Sequence, residues 1–295
     1  MTIAVSNPRP KRSSDAFLGY ATLSPLLLVM IFGVGIPFIT LLVMSFWQQQ
    51  SYKVDAGWGL GNYSWFLANG FYLGLLARSV GIALVVALTT TLLAFPVAYY
   101  VAFYVHRHRS LWIILLTLPF WTSYLLRIFT WKVILGFNGV INSGLLMLGV
   151  VDEPLDVLLY NSFSVIVTLT HAWIPFVVLP LYVSLAKISP ELLRTAADLG
   201  DGPMRRLTRV ILPLAAPGLL TGIILVFIPT VGDYVTPMLV GGTHGSMIGA
   251  VIAAQFGAAD NWPLGAAMSM VTMAVVTCVA LALQFGVLRL RSHAR

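Results

Sequence analysis

"ELLRTAADLGDGPMRRLTRVILPLAAPG", residues 191–218, concentrates charge between two long apolar runs, and the fold turns on how it is read. Ser189 and Pro190 just ahead of it make a helix start. The serine oxygen can cap free N–H groups, proline suits the first helical position, and Glu191 sits near the positive end of the dipole. Leu192, Leu193, Ala196, Ala197 and Gly200 then share one face, and Glu191, Arg194, Thr195 and Asp198 the other. Gly200-Asp201-Gly202-Pro203 ends this short helix. A second is expected from Pro203, with Met204, Leu207 and Ile211 opposite Arg205, Arg206 and Arg209, and Pro213 and Pro217 are expected to mark the turn back into the apolar run. A helix of about ten residues is marginal alone, so it must lean on something. Anionic headgroups and a cytoplasmic partner are both open at this point.

The surrounding composition supplies the setting. Of 295 residues 59% are hydrophobic and 9% charged, against about 25% charged in an ordinary soluble domain. Stretches near 17–46, 76–104, 111–135, 160–186, 213–240 and 264–290 are each long and apolar enough to cross a bilayer. The fold class is an all-α polytopic membrane protein with six transmembrane helices. The opening MTIAVSNPRPKRSSD is basic, but the run after it is too long for a secretory signal and no A-x-A-like site closes it, so the first span is expected to be retained. Cys278 is the single cysteine, so neither an intramolecular disulfide nor a thiol cluster is expected.

Basic residues fall on one side of these spans: Arg9, Lys11, Arg12, Arg107, Arg109, Lys187, Arg194, Arg205, Arg206, Arg209, Arg289, Arg291 and Arg295, against Lys53 on the other. That bias puts both termini in the cytoplasm. The net charge of +7 thereby has a topological cause and asks for no nucleic-acid partner. Asp55, Asp152, Glu153, Asp156 and Asp260 leave the outer connections mildly acidic. HRHR at 106–109 is a tight inner turn whose histidines read as solvated or headgroup-facing. No repeat period is evident.

The charged stretch resembles the signature loop of ABC importer membrane subunits: Glu-Ala-Ala, three residues, Gly, nine residues, Ile-x-Leu-Pro. Aligned on Gly200, Ala196 stands at the second alanine and Val210-Ile211-Leu212-Pro213 come at the matching distance. Arg194 stands where the glutamate is usual and Thr195 where the first alanine is, so a charge contact of the family glutamate does not carry over; Glu191, one turn earlier on the same face, is a candidate replacement. The resemblance implies a type I (MetI-like) importer transmembrane domain, with the loop seated in a groove of an ATPase subunit. The chain contains no G-x-x-x-x-G-K-[ST], so it is expected to be no enzyme and to bind no cofactor, ATP-Mg belonging to partner subunits.

LPFWTSYLLRIFTWKVILG (118–136), NGVINSGL (138–145) and PTVGDYVTPMLVGG (229–242) are further similar to spermidine/putrescine importer permeases, particularly the first permease partner. The resemblance implies a bacterial inner-membrane assembly with a second permease, two ATPase subunits and an extracytoplasmic solute-binding protein, carrying a polyamine or another small organic solute. The expected partition is a cytoplasmic tail 1–16, a first helix and outer loop 17–73, a permease core 74–288 with coupling loop 189–212, and a basic tail 289–295. Glu191, Arg194, Thr195, Ala196, Ala197, Gly200, Leu212 and Pro213 are the coupling candidates.

Arg127 and Asp233 lie inside apolar runs, where an ionisable group is costly and needs a partner. Straight helices from Leu111 and Pro213 would lift each roughly 24 to 30 Å above its inner end. Two readings are open: an Arg127–Asp233 ion pair joining two spans, which is favoured, or an Asp233 that meets a cationic solute while Arg127 opposes it. Trp121, Tyr124, Trp173 and Tyr234 lie in or near the same segments as ring faces for a cation or as packing residues, and with Arg127 and Asp233 they make up the candidate solute pathway. His171 reads as a hydrogen-bonded core histidine, without a second histidine at metal spacing. The rival functions are a gradient-driven transporter or channel and an intramembrane hydrolase. The hydrolase is disfavoured by the lack of H-E-x-x-H, of a G-x-S-x-G-like serine and of a paired intramembrane aspartate.

Overall fold

The computed structural model describes residues 13–50 and 53–293; Arg9, Lys11, Arg12 and Arg295 of the basic tails lie outside them. In chain order, α1 is Tyr20–Met44, β1 is Gln48–Gln50, β2 is Lys53–Asp55, α2 is Gly61–Ala68 and α3 is Gly70–Phe103. Then come α4 (Arg109–Thr117), α5 (Tyr124–Leu135), α6 (Val140–Met147), α7 (Ser162–Leu185) and α8 (Pro190–Asp198). The last three are α9 (Pro203–Val231), α10 (Ile248–Phe256) and α11 (Trp262–His293). Six membrane-length segments are present among the described residues: α1, α3, α5 with α6, α7, α9 and most of α11. The two strands form one small antiparallel hairpin, with Gln48 opposite Asp55.

The core is a three-helix seam of α3, α7 and α9. Ala83, Val86, Ala87, Ala94 and Ala98 of α3 meet Val165, Leu169, Val177 and Leu181 of α7 and Ala215, Val226 and Phe227 of α9, all fully buried. Hydrocarbon tails are as apolar as leucine, so such helices associate by close packing and small residues set the approach. The extreme case is α7 against α9. A Cβ on Gly218 would run into the Ser184 side chain and stand 2.8 Å from the Pro180 carbonyl, and one on Gly222 would stand 2.8 Å from Val177 Cγ1. Thr89 and Thr170 add a hydroxyl pair at 2.9 Å between α3 and α7. By contrast α1 has no buried residue in its membrane window and packs its C-terminal part, Ile36–Met44, on α11.

Two spans differ from the straight helices expected. The third is split: α4 ends at Thr117, a 3-10 turn covers Leu118–Trp121, Thr122 is extended, and α5 starts afresh at Tyr124. Pro119 lacks an N–H and its ring crowds the preceding turn, which favours the change from α-helix to a 3-10 turn there, and the helix is interrupted at the extended Thr122. The rise estimated for Arg127 therefore does not apply. The fifth is longer inward and shorter outward than expected. The second loop helix does not turn at Pro213 or Pro217 but runs straight into the span through a wide π stretch, Leu207–Ile211. Loosening the turn just before Pro213 accommodates the ring that would clash with a regular i−4 carbonyl. At the outer end α9 stops at Val231 and Gly232-Asp233 break it before a second short helical segment.

Candidate functional site

Two sites emerge, one at each end of the core. The one formed by the 189–212 loop is built as its sequence suggests. Ser189 Oγ accepts from the Glu191 amide at 3.2 Å, with Pro190 opening α8. At the other end Gly200 takes φ +88°, and the Asp201 and Gly200 amides donate to the Ala196 and Ala197 carbonyls, both at 2.9 Å. This closure needs a left-handed residue, hence glycine. Asp201 and Arg209 bridge the loop to α9 at 3.6 Å. Leu193, Ala196, Leu207 and Ile211 lean on the core. The apolar face is only partly buried, however: Leu192 (51%), Leu199 (81%) and Met204 (70%) are exposed, beside exposed Glu191, Arg194, Thr195 and Ala197. Leu212 and Pro213 are half-buried where the loop becomes the span. The element is thus fixed from beneath and bare on its outer side.

The outer site centres on Asp233. Its Oδ1 accepts from the amides of Val235 (3.0 Å) and Thr236 (3.4 Å), capping the segment after the break, and its Oδ2 accepts from the Tyr124 hydroxyl at 2.7 Å. Tyr124 also pairs with Thr236 Oγ1 at 2.9 Å. The expected Arg127–Asp233 ion pair is not formed; each group has a different partner. Arg127 Nη1 donates instead to the Ala172 carbonyl of α7 at 2.9 Å, and its guanidinium lies 5.8 Å from the Tyr124 ring centroid. The carboxylate is satisfied by a cap and a phenol, and the cation by a carbonyl and a ring.

Tyr124, Arg127 and Trp173 line a cavity of 300 Å³ together with Thr122, Ala172 and Phe176. Arg127 Nε and Trp173 Nε1 are buried there without a hydrogen-bond partner. Tyr234 faces a different hollow, of 340 Å³, between α9, α10 and α11, and Trp121 is 83% exposed. Of the six pathway candidates, then, three share a cavity, Asp233 reaches it through Tyr124, and two stand apart. His171 is not a core residue; it is exposed and meets Trp131 edge-on at 5.5 Å.

Sequence reasoning missed the residues that hold the chain beyond the outer break. Ser164 Oγ and the Tyr160 amide both donate to the Val240 carbonyl, at 2.6 and 2.9 Å, and Ser79 Oγ accepts from the Ile248 amide at 2.7 Å. Buried Asn142 ties down the outer loop, accepting from the Leu155 amide at 2.8 Å and donating to its carbonyl at 3.2 Å. The only available signal was polarity inside or beside apolar runs. The close seam had a clearer one, the G-x-x-x-G of Gly218 and Gly222.

A membrane bundle with a broken third span, a broken fifth span and a helix-turn-helix running into that fifth span defines a class, the type I (MetI-like) ABC importer permeases. A chain of the bacterial alginate ABC transporter in complex with an alginate pentasaccharide-bound periplasmic protein has this fold, with a TM-score of 0.71 over 94% of this chain and 96% of that one at 17% identity. A chain of the MetNI methionine ABC transporter in an inward-facing conformation gives 0.50 over 79% and 98% at 16% identity. No family model matches the chain. Among curated proteins, the spermidine/putrescine transport system permease protein PotB of Escherichia coli (strain K12) is 37% identical over 217 residues, 74% of this chain and 78% of that protein. PotB of Haemophilus influenzae is 34% identical over 82% and 84%, and the inner membrane ABC transporter permease protein YdcU of Escherichia coli (strain K12) is 32% identical over 68% of each. The chain belongs to the spermidine/putrescine transport system permease family of ABC transporters.

Proposed function

We propose that this chain is the membrane-spanning permease subunit of an ATP-driven importer, forming half of the pathway for a small organic solute of the polyamine class. Its partners in this reading are a second permease, two ATPase subunits that hold ATP-Mg, and an extracytoplasmic solute-binding protein. The assembly sits in a bacterial inner membrane with both chain termini in the cytoplasm. The chain conducts solute and hydrolyses nothing itself.

The observation that carries this reading is the continuity of the loop with α9. Pro203–Val231 is one helical body of 29 residues, about 43 Å at 1.5 Å per residue. It is joined to α8 by the Gly200 closure and the Asp201–Arg209 pair. Force applied to the bare face of α8 would move the inner end of a core span, and closure of an attached motor would then alternate access to the pathway. Exposed Leu192, Leu199 and Met204 offer that motor apolar contact at small cost to the isolated chain.

At the outer end, the cavity beside Tyr124 and Trp173 offers ring faces to a cationic solute. Asp233 acts by holding the Tyr124 hydroxyl and the break in α9. Arg127 lines the same cavity and already lies against the Tyr124 ring, so a cationic solute would use the Trp173 and Phe176 rings there. The test is ATPase activity of the reconstituted complex with binding proteins loaded with putrescine, spermidine or unrelated organic solutes. Stimulation by the polyamine-loaded protein is expected. Stimulation only by a different load would replace the solute and keep the machine, whereas uptake that survives loss of ATP hydrolysis would overturn the reading.

A further inference from the structure

Behind α8, away from the outer cavity, lies a hollow of 520 Å³ at the inner ends of α3 and α7. Arg109, Arg194, Arg206 and His106 line it along with Tyr99 and Tyr104, and no carboxylate is among its lining residues. Arg109 is fixed there: its Nε and Nη2 donate to the carbonyls of Val105 (3.1 Å) and Ala102 (2.8 Å) at the end of α3, and its guanidinium lies 5.9 Å from the Tyr182 ring centroid. Arg206 is half-buried and its Nε is enclosed without an acceptor. Among the described residues, neither Arg194 nor Arg206 has a carboxylate within 4 Å; Asp201, the nearest acid along the chain to Arg206, is engaged by Arg209.

Like charges gathered in a partly enclosed hollow repel one another, and water screens them less there than on an open surface. A buried guanidinium nitrogen without an acceptor adds a further cost. One group with negative charge and several acceptor oxygens relieves both. Phosphate fits, because guanidinium groups grip its oxygens in pairs and the hydrogen-bonded hydroxyl pair of Tyr99 and Tyr104 has one further O–H to donate. The wall below is apolar, made by Phe103 and Leu185. The hollow therefore combines a basic rim with an apolar floor where spans end at the cytoplasmic side, the setting in which basic pockets take lipid headgroups.

We propose that this hollow is an anion site for a phosphate group, filled from the inner leaflet by an anionic phospholipid, and that the bound phosphate ties α8 to the inner ends of α3 and α4. The site does not depend on which solute is carried or on the importer reading, since its groups all belong to this chain. A soluble phosphate is the alternative source of the same chemistry.

The test uses the full chain in nanodiscs of phosphatidylcholine alone or of equal parts phosphatidylcholine and phosphatidylglycerol, with native mass spectrometry counting retained phosphatidylglycerol. A second arm offers inorganic phosphate to the phosphatidylcholine sample. Arg109 also holds the 106–109 turn together, so the informative variant is Arg206→Gln. Arg206→Lys keeps the charge, and Arg205→Gln removes a charge from the neighbouring exposed position outside the hollow. The expected result is one tightly held phosphatidylglycerol, weakened about tenfold or more by R206Q, less by R206K and not by R205Q. Saturable binding of inorganic phosphate with the same variant order would support the site and assign it a soluble source. Equal loss in R205Q and R206Q, or no retained anion in either arm, would overturn the proposal.

Discussion

The two ends of α9 handle polar groups in opposite ways. At the outer end the helix breaks at Gly232-Asp233, and the described hydrogen bonds hold the region from within the chain: Asp233 caps the short helical segment beyond the break, Tyr124 pairs with Asp233, Ser164 and the Tyr160 amide donate to the Val240 carbonyl at the end of that segment, and Ser79 accepts from the Ile248 amide at the start of α10. At the inner end Leu192, Leu199 and Met204 stay bare, and Arg194 stands exposed with no carboxylate within 4 Å among the described residues. Lipid cannot hydrogen-bond a broken helix, so an outer break survives only if the protein satisfies it internally. Water imposes no such demand, so the bare apolar residues of the 189–212 loop carry information of another kind: they mark a surface made for something outside the chain.

The largest effect is expected where both ends are anchored. Gly218→Leu would force a side chain into Ser184 and the Pro180 carbonyl; overpacking of this kind should cost about 3 kcal/mol and be read as loss of a cooperative thermal transition in detergent. Asp233→Ala should cost about 2 kcal/mol through the lost cap and the lost phenol partner. The isolated chain should register that loss in full, and a penalty appearing only in the assembled complex would break the contrast between a self-contained outer site and an outward-looking inner one. Gly200→Ala, at φ +88°, should lower stability by about 1 kcal/mol, with circular dichroism melts as the readout. Smallest of all, Arg209→Ala removes an ion pair in which the arginine side chain is 68% exposed, and its melt should shift by less than about 0.5 kcal/mol.

Much of this was legible in the residues. Six apolar runs gave six spans, and Ser189-Pro190 and Gly200 gave both boundaries of α8, because caps act through chemistry local to a few residues. What failed was direction. Arg127 and Asp233 could be seen to need partners, but a sequence does not tell which carbonyl or phenol a rotamer will reach, and the supposed pair proved to be two separate arrangements. Pro119 and Pro213 show the same limit. One proline splits a span and the other is absorbed by a π stretch, and the outcome depends on whether neighbouring helices can satisfy the freed groups. His171 escapes a sequence reading because a single polar residue in an apolar helix does not by itself tell which face of the span it takes.

The central claim is that the bare face of α8 is the seat of the motor. Its most direct test is co-purification of the ATPase subunits with the wild-type chain and with Leu199→Asp, a change at an 81% exposed position that should alter the melt of the isolated chain by no more than about 0.5 kcal/mol. The account predicts that the variant inserts and melts like the wild type yet loses the ATPase subunits, as deletion of 189–212 also would. Full retention of ATPase subunits by both the point variant and the deletion would contradict it.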